Sequence, residues 1–365
     1  METQKTLVYF GTATGIFVSS LSLNSGELTE PRQVADTPHA GFLTLVPATQ
    51  TLYAIHRAKG EAMQAPYGSV NAFRIDLATG DLQFLNAQTV PDTAFVHIST
   101  DEQARVLLAA SYSDTRIALF PLAKDGQLGP VSFRHTFNHA GTGVNRARQD
   151  KPYPHSIYFD HVDKHVYVCD LGGDKVFVYK FDEETTSLAA HTQAFVSLAP
   201  GAGPRHMAQH PNGRFRYVIN ELNGTVTVFE LSAGQLHERQ TLTTLPADFV
   251  GENTTKNTTK NTTAEVALSP DGHFLYGSNR GHDSIAKYSV DSASGRLEPL
   301  GWTPSGGEHP RHFSLDPSGQ FLLVANRDSD NVVVFERDGE TGELSATGQV
   351  LDLPQCICVK MMSAT

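Results

Sequence analysis

The 365-residue chain is poor in cysteine, in basic clusters and in long apolar runs, and each shortage removes a class of protein. Its three cysteines, Cys169, Cys356 and Cys358, are an odd number with a single C-x-C pair, which excludes a secreted disulfide framework. No second ligand pair is spaced to turn that C-x-C into a metal site, so both thiols read as small core residues on one face of a strand. Lys and Arg total 28 against 39 Asp and Glu, a formal net charge of -11, and no stretch concentrates the basic residues. Neither nucleic acid nor an anionic membrane is therefore expected as a partner. No segment has the apolar length of a membrane span, and "METQKTLVYFGTATG" carries no basic region followed by an unbroken apolar run. The expectation is a cytoplasmic protein that acts on a small molecule. Long helical periodicity is missing throughout.

What is present is a repeat. "HPNGRFRYVINELNGTVTVFEL", "SPDGHFLYGSNRGHDSIAKYSV", "DPSGQFLLVANRDSDNVVVFER" and, less cleanly, "DHVDKHVYVCDLGGDKVFVYKF" each read as turn, strand, polar corner, strand. The corner recurs at His56, Ser111, Asp170, Asn220, Asn279 and Asn326, in steps of 55, 59, 50, 59 and 47 residues. A period near 50 marks a tandem architecture. The long step from Asn220 contains "NTTKNTTKNTT", and removing that insertion restores the short one; it is expected to be a surface decoration at about 251–263. Four short strands per unit, repeated radially, predict an all-β fold: one seven-bladed β-propeller domain of four-stranded antiparallel blades over residues 1–365. Six corners define six blades, and "YFGTATGIFVSSLSLNSGELTEP" supplies the second to fourth strands of a seventh. Its innermost strand is expected from the chain end, "QCICVKMM", which would close the ring and remove its open edges.

In a propeller the first strand of each blade lines the channel and the second runs antiparallel to it. The start of the first and the end of the second therefore lie at one mouth. That geometry selects His155, Arg205, Ala264 and Arg311 from the first strands, with Ser156, His206, Glu265 and His312 one step further, and Arg57, Tyr112, Leu171, Glu221, Arg280 and Arg327 from the second. Guanidinium groups suit the oxygens of a carboxylate or phosphate, and a carboxylate with an imidazole among them could do acid/base work. The candidate catalytic set is His155, Arg205, Glu221 and Arg280, with Glu221 the first choice of base and His155 the second. Arg311 and Arg327 are candidate phosphate anchors, and His206, His312 and Asn279 further substrate contacts. The bland alternative is that these groups only fasten blades together. A Glu221 neutralised by arginine and turned from the channel would favour a binding protein over an enzyme.

"HxGTGxNxxRQ" (His139 to Gln149), "PHSIYFD", "GPRHMAQHPNGRFRYVINELNGTVTVFE", "AEVALSPDGHFLYGSNRGHDSIAKYSVD" and "HPRHFSLDPSGQFLLVANRDSDNVVVFERD" resemble the lactonase family of seven-bladed propellers. That family includes bacterial propeller-type 6-phosphogluconolactonases and fungal carboxymuconate cyclases. The similarity runs essentially end to end and includes the Cys-Ile-Cys closing strand. By motif, the His, Arg, Glu and second Arg of the cyclase branch fall on His155, Arg205, Glu221 and Arg280, whereas the surrounding phrases are closer to the phosphogluconolactonase branch. The resemblance implies hydrolysis of 6-phospho-D-glucono-1,5-lactone. Its alternatives are muconate lactonisation, or a non-catalytic propeller that binds an anionic metabolite or a protein. The "NTTK" insertion and "AKGEAMQAPYGSV" in the second hairpin-bearing unit depart from the family and bear on the site rim and on oligomeric contacts, with a homodimer left open.

No cofactor is expected. "GTGVNRARQ" and "GAGPRH" do not continue into a phosphate-binding loop and read as connections between blades. None of the sixteen histidines is accompanied by a clear carboxylate cluster, and no catalytic metal is expected. The N-x-T triplets at Asn223, Asn253, Asn257 and Asn261 carry no glycosylation expectation without a secretory signal.

Overall fold

The computed structural model describes residues 5–58, 67–160, 162, 164–250 and 261–364. Seven four-stranded antiparallel sheets make up the fold. From the channel outward, blade 1 comprises Leu43–Val46, Thr51–Ala58, Tyr67–Ile75 and Leu82–Val90, and blade 2 Phe95–Thr100, Val106–Ser111, Arg116–Pro121 and Phe133–Thr136. Blade 3 comprises Pro154–Phe159, His165–Asp170, Lys175–Asp182 and Ser187–Ser197, and blade 4 Pro204–Gln209, Phe215–Asn220, Thr225–Ser232 and Gln235–Thr243. Thr262–Leu268, Phe274–Arg280, Ser284–Val290 and Leu297–Pro304 form blade 5, and Pro310–Leu315, Phe321–Asn326, Asn331–Arg337 and Leu344–Asp352 form blade 6. Blade 7 joins the two ends of the chain: Cys358–Ser363 pairs with Lys5–Gly11, followed by Ile16–Ser22 and Arg32–Ala35. The closing strand thus falls where the sequence places it. Among the described residues the only helical element is the 3-10 turn Pro47–Thr49, and no helix is long and apolar enough to cross a membrane.

The second strand of each blade is the most deeply buried, because it is covered on both faces by neighbouring blades; Phe215–Asn220 and Phe321–Asn326 are buried at every position. Large aromatics fill the wedge between sheets, and several carry a hydroxyl that must find an acceptor. The repeat supplies one. Tyr9, Tyr53, Tyr217 and Tyr276, at matching positions on second strands, donate to the carbonyls of Gly80, Gly126, Gly295 and Gly342 in the next blade, at 2.8 to 3.1 Å. Those glycines lie in turns at φ of 68° to 83°. A Cβ at Gly295 or Gly342 would come within 2.3 or 2.5 Å of Phe215 or Phe274, so both the turn conformation and the close approach demand glycine.

All three cysteines are buried free thiols, and Cys358 Sγ accepts the Leu43 amide hydrogen at 3.3 Å, tying the closing strand to blade 1. Most of the expected insertion and the "KGEAMQAP" stretch lie outside the described residues. Residues 261–263, grouped with the insertion on sequence grounds, instead lead into the inner strand of blade 5: Asn261 Nδ2 donates to Asn279 and Thr263 Oγ1 to Asn220 O, both buried.

Candidate active site

Three inner strands begin with the same device. Pro154, Pro204 and Pro310 open them, and the pairing register with the second strand then slips by one residue, so that His155, Arg205 and Arg311 have no cross-strand partner. A bulge of this kind re-aims the extra side chain and lets the following residue resume the alternation. The extra residues, His155, Arg205 and Arg311, form an upper layer at the mouth. The residues after them, Ser156, His206 and His312, form a second layer beneath.

In the upper layer Glu221, 3 % exposed, is the hub. Its amide donates to Gly203 O at 2.7 Å, which holds the start of the blade 4 turn against the mouth. Its carboxylate meets Arg148 Nη2 at 2.6 Å, Arg205 Nε at 3.0 Å and Arg280 Nη2 at 3.3 Å, and Oε2 lies 4.0 Å from His155 Nε2. Arg205 and Arg280 are also anchored on the carbonyls of Ala264 and Thr263, at 2.6 and 2.5 Å. Burial alone would raise the pKa of Glu221, but Arg280, Arg148 and Arg205 outweigh it and hold the carboxyl well below the usual carboxylate range. Glu221 is therefore neutralised by arginine yet faces into the site. His155 has the opposite fate. Burial first, then Arg205, His206, Arg311 and Arg148, push its pKa well below the ordinary imidazole value, so it is neutral at physiological pH.

Arg311 differs from its neighbours. Burial and the charges of Arg205 and Arg280 push its pKa down to about 9, and among the described residues it has no hydrogen bond or ion pair. It is a half-buried cation with no ion pair of its own among the described residues, and the Glu221 carboxylate acts on it only at longer range. Arg327, in contrast, is held on the rim by Asp328, at 2.6 Å, and His309 reaches the same carboxylate at 3.3 Å.

The remaining candidates separate. Asn279 is turned into the body of its blade, where Nδ2 donates to Thr244 O at 2.8 Å and Oδ1 accepts from Thr244 Oγ1 and Asn261; its proposed substrate contact has no free group to make it. His206 and His312 lie below the mouth; His206 bonds Glu265 at 3.0 Å, and His312 Nε2 lies 3.2 Å from the same carboxylate. Both are 2 % exposed or less and form the floor beneath the upper layer.

Arg148 is absent from both rings expected from the sequence, and Tyr112 stands in one of them without a role. Arg148 belongs to "GTGVNRARQ", which reads as a plain connection between blades. In three dimensions that loop reaches the mouth: Gln149 is buried and donates to Leu171 O and Asp174 Oδ1, and Thr142 also bonds Asp174. This fixes Arg148 so that Nε donates to Tyr112 Oη at 2.7 Å while Nη2 reaches Glu221. The Tyr112 ring stacks on Tyr153 at 4.4 Å and meets His155 edge-on at 5.6 Å, walling one side of the site. The glycine-rich His139–Gln149 motif was the available signal. Among the described residues no group of three His, Cys, Asp or Glu side chains is placed to ligate one metal ion.

A neutral imidazole, fixed guanidinium groups and an unpaired arginine at one mouth are the components of a site for an anionic ester. Residues 7–361 match the family model described as lactonase, 7-bladed beta-propeller. A Bacillus subtilis protein named 6-phosphogluconolactonase is 35% identical over 318 residues, covering 85% of this chain and 84% of the relative. One of the same name from Formosa agariphila is 34% identical, over 83% and 82% of the two chains. Among solved structures, the periplasmic gluconolactonase of Pseudomonas aeruginosa superposes with a TM-score of 0.90 at 31% identity, covering 99% of this chain and 100% of the other.

Proposed function

The chain belongs to the lactonase family of seven-bladed β-propellers, and we propose that it hydrolyses 6-phospho-D-glucono-1,5-lactone to 6-phosphogluconate. The observation that carries this reading is the upper layer itself: neutral His155, arginines held in place by Glu221, and Arg311 left without an ion pair of its own.

Lactone hydrolysis needs an activated water, donors for the developing oxyanion, and a proton for the ring oxygen as it leaves. We assign His155 as the base. It is uncharged, close to the guanidinium groups, and able to take a proton from water as the new C–O bond forms at the lactone carbonyl. Glu221 is a poor base because three arginines stabilise its charged form. Its role is to fix Arg205 and Arg280, whose remaining N–H groups face the carbonyl oxygen. When the tetrahedral intermediate collapses, the ring C–O bond breaks and the proton on His155 passes to the departing oxygen. Arg311 binds the phosphate. The three buried free thiols suit a reducing compartment, which supports a cytoplasmic location.

The testing experiment is hydrolysis of freshly generated phosphorylated lactone, corrected for spontaneous opening at mildly acidic pH. Turnover well above background is expected, and its absence would refute the reading. The Pseudomonas neighbour is named a gluconolactonase, so the unphosphorylated lactone is the comparison that decides the substrate. Arg311→Gln is expected to raise KM for the phosphorylated lactone about 10- to 100-fold, the value of a charged hydrogen bond, with little change in kcat. The same variant should leave the unphosphorylated lactone unaffected. Equal effects on both substrates would remove Arg311 from the phosphate subsite.

A further inference from the structure

The middle of the channel is filled by Phe42 and three imidazoles. The Phe42 ring lies 4.3 Å from His97, 5.8 Å from His206 and 5.6 Å from His312, and all four residues are 6 % exposed or less. Below them, toward the ends of the inner strands, a cavity of about 440 Å³ opens at the opposite mouth, and its lining includes Phe42, Glu265, Lys360, Thr44, Tyr158 and Ser314. None of His155, Arg205, Glu221, Arg280 or Arg311 lines it. Its volume is that of a small-metabolite site.

Three charged side chains line it and are unequally satisfied: the Asp316 carboxylate is already taken up by the Ser318 and Phe321 amides and the Ser318 hydroxyl, which leaves Glu265 and Lys360. Glu265 accepts from His206 Nδ1 at 3.0 Å and from the Val266 amide at 3.2 Å, and His312 Nε2 lies 3.2 Å from the same carboxylate without completing a hydrogen bond. His312 Nδ1 accepts the Val359 amide hydrogen and leaves Nε2 to carry the proton. The carboxylate is thus surrounded by donors. Lys360 Nζ has three donors, and among the described residues it meets only the Phe42 ring, 4.7 Å from its centroid. The unmet demand in this cavity is for an acceptor, not for a cation.

We propose that this lower cavity is a second binding site, separate from the lactone site, for a small anion bearing a carboxylate or phosphate that Lys360 anchors over Phe42. A phosphate or carboxylate oxygen takes the free ammonium donors, and the His97, Phe42 and Thr44 walls enclose the remainder. Because the aromatic layer lies between the two sites, the occupant does not compete with the lactone.

The test is calorimetric titration of the full chain with inorganic phosphate and, separately, with citrate, on wild type, Lys360→Met, Lys360→Arg and Arg311→Gln. Methionine keeps the packing of the lysine stem while removing its charge. The expected result is a binding event weakened at least 10-fold in Lys360→Met, retained in Arg311→Gln and largely restored in Lys360→Arg, with lactone turnover of Lys360→Met within about twofold of wild type. Response to phosphate alone or to citrate alone assigns the anchored group. Binding unchanged by Lys360→Met, or lost only in Arg311→Gln, would overturn the proposal, as would no binding of either anion. An Arg311→Gln variant that leaves every binding event unchanged would count against the phosphate anchor of the lactone site and not against this cavity.

Discussion

His155→Gln is expected to lower kcat for the phosphorylated lactone by about 10²- to 10⁴-fold while KM changes only a few-fold, the range associated with loss of a positioned general base. Glutamine keeps a polar group of similar reach in the pocket walled by Tyr112 and His206, so packing is largely preserved. Glu221 cannot take over, because Arg280, Arg148 and Arg205 hold it ionised and weakly basic. Glu221→Gln should behave differently. It releases Arg205 and Arg280 and leaves buried guanidinium groups without their common counter-charge, so kcat, KM and thermal stability should all worsen together. The pH profile separates the two roles. With the pKa of His155 depressed, kcat/KM should stay flat through the ordinary imidazole range and fall only at lower pH. Wild-type turnover in His155→Gln, or an acid limb centred near pH 6.5, would rule out His155 as the base described here.

The second large effect is on stability. Burial, together with neighbouring positive charge, depresses the pKa values of His97, His155, His206 and His312 well below the imidazole range. In the unfolded chain each would protonate near its ordinary value of about 6.5. As the pH falls below that value the unfolded state takes up protons that the native state does not, so the native state loses ground. Each such group contributes about 1.4 kcal/mol per pH unit once well below the unfolded pKa. From pH 7.5 to 5.5 the four together amount to roughly 5 kcal/mol. The accompanying fall in Tm is on the order of 10 °C. Glu221 does not offset this: its depressed pKa contributes stability that is lost only below the ordinary carboxylate range. A Tm constant from pH 7.5 to 5.5 would show that the histidines protonate without cost. His97→Asn offers a finer check, since an amide oxygen can replace Nδ1 as acceptor for the Ile157 amide hydrogen, and about a quarter of the slope should vanish.

Much of the architecture was legible in the chain because a propeller is built from local hairpins. The corner repeat, the turn glycines and the alternation along Phe215–Asn220 and Phe321–Asn326 are short-range properties, and a radial array reproduces them once per blade. The missing strand of the first hairpin demanded a partner, and "QCICVKMM" was the apolar segment left to supply it. Even the two mouth rings followed from counting back from each turn, because antiparallel pairing brings the start of one strand beside the end of the next.

What counting could not supply was where each side chain is aimed and what it is paired with. Strand periodicity assigns alternate residues to alternate faces, but the bulges after Pro154, Pro204 and Pro310 insert one residue and split each neighbouring pair into an upper and a lower layer. Thus Arg205 reaches Glu221 while adjacent His206 bonds Glu265, and Asn279 turns into its blade while adjacent Arg280 faces the mouth. Arg148 lies 73 residues from Glu221 on a loop with no strand pattern, and only closure of the ring brings them together. The sequence by itself determined the blades, the closing strand and the residue types at the mouth, because those depend on local pairing and period. The tertiary structure alone decided that Glu221 is a neutralised hub, His155 a neutral imidazole and Arg311 a cation without a partner. Burial and charge at those positions come from side chains contributed by several different blades.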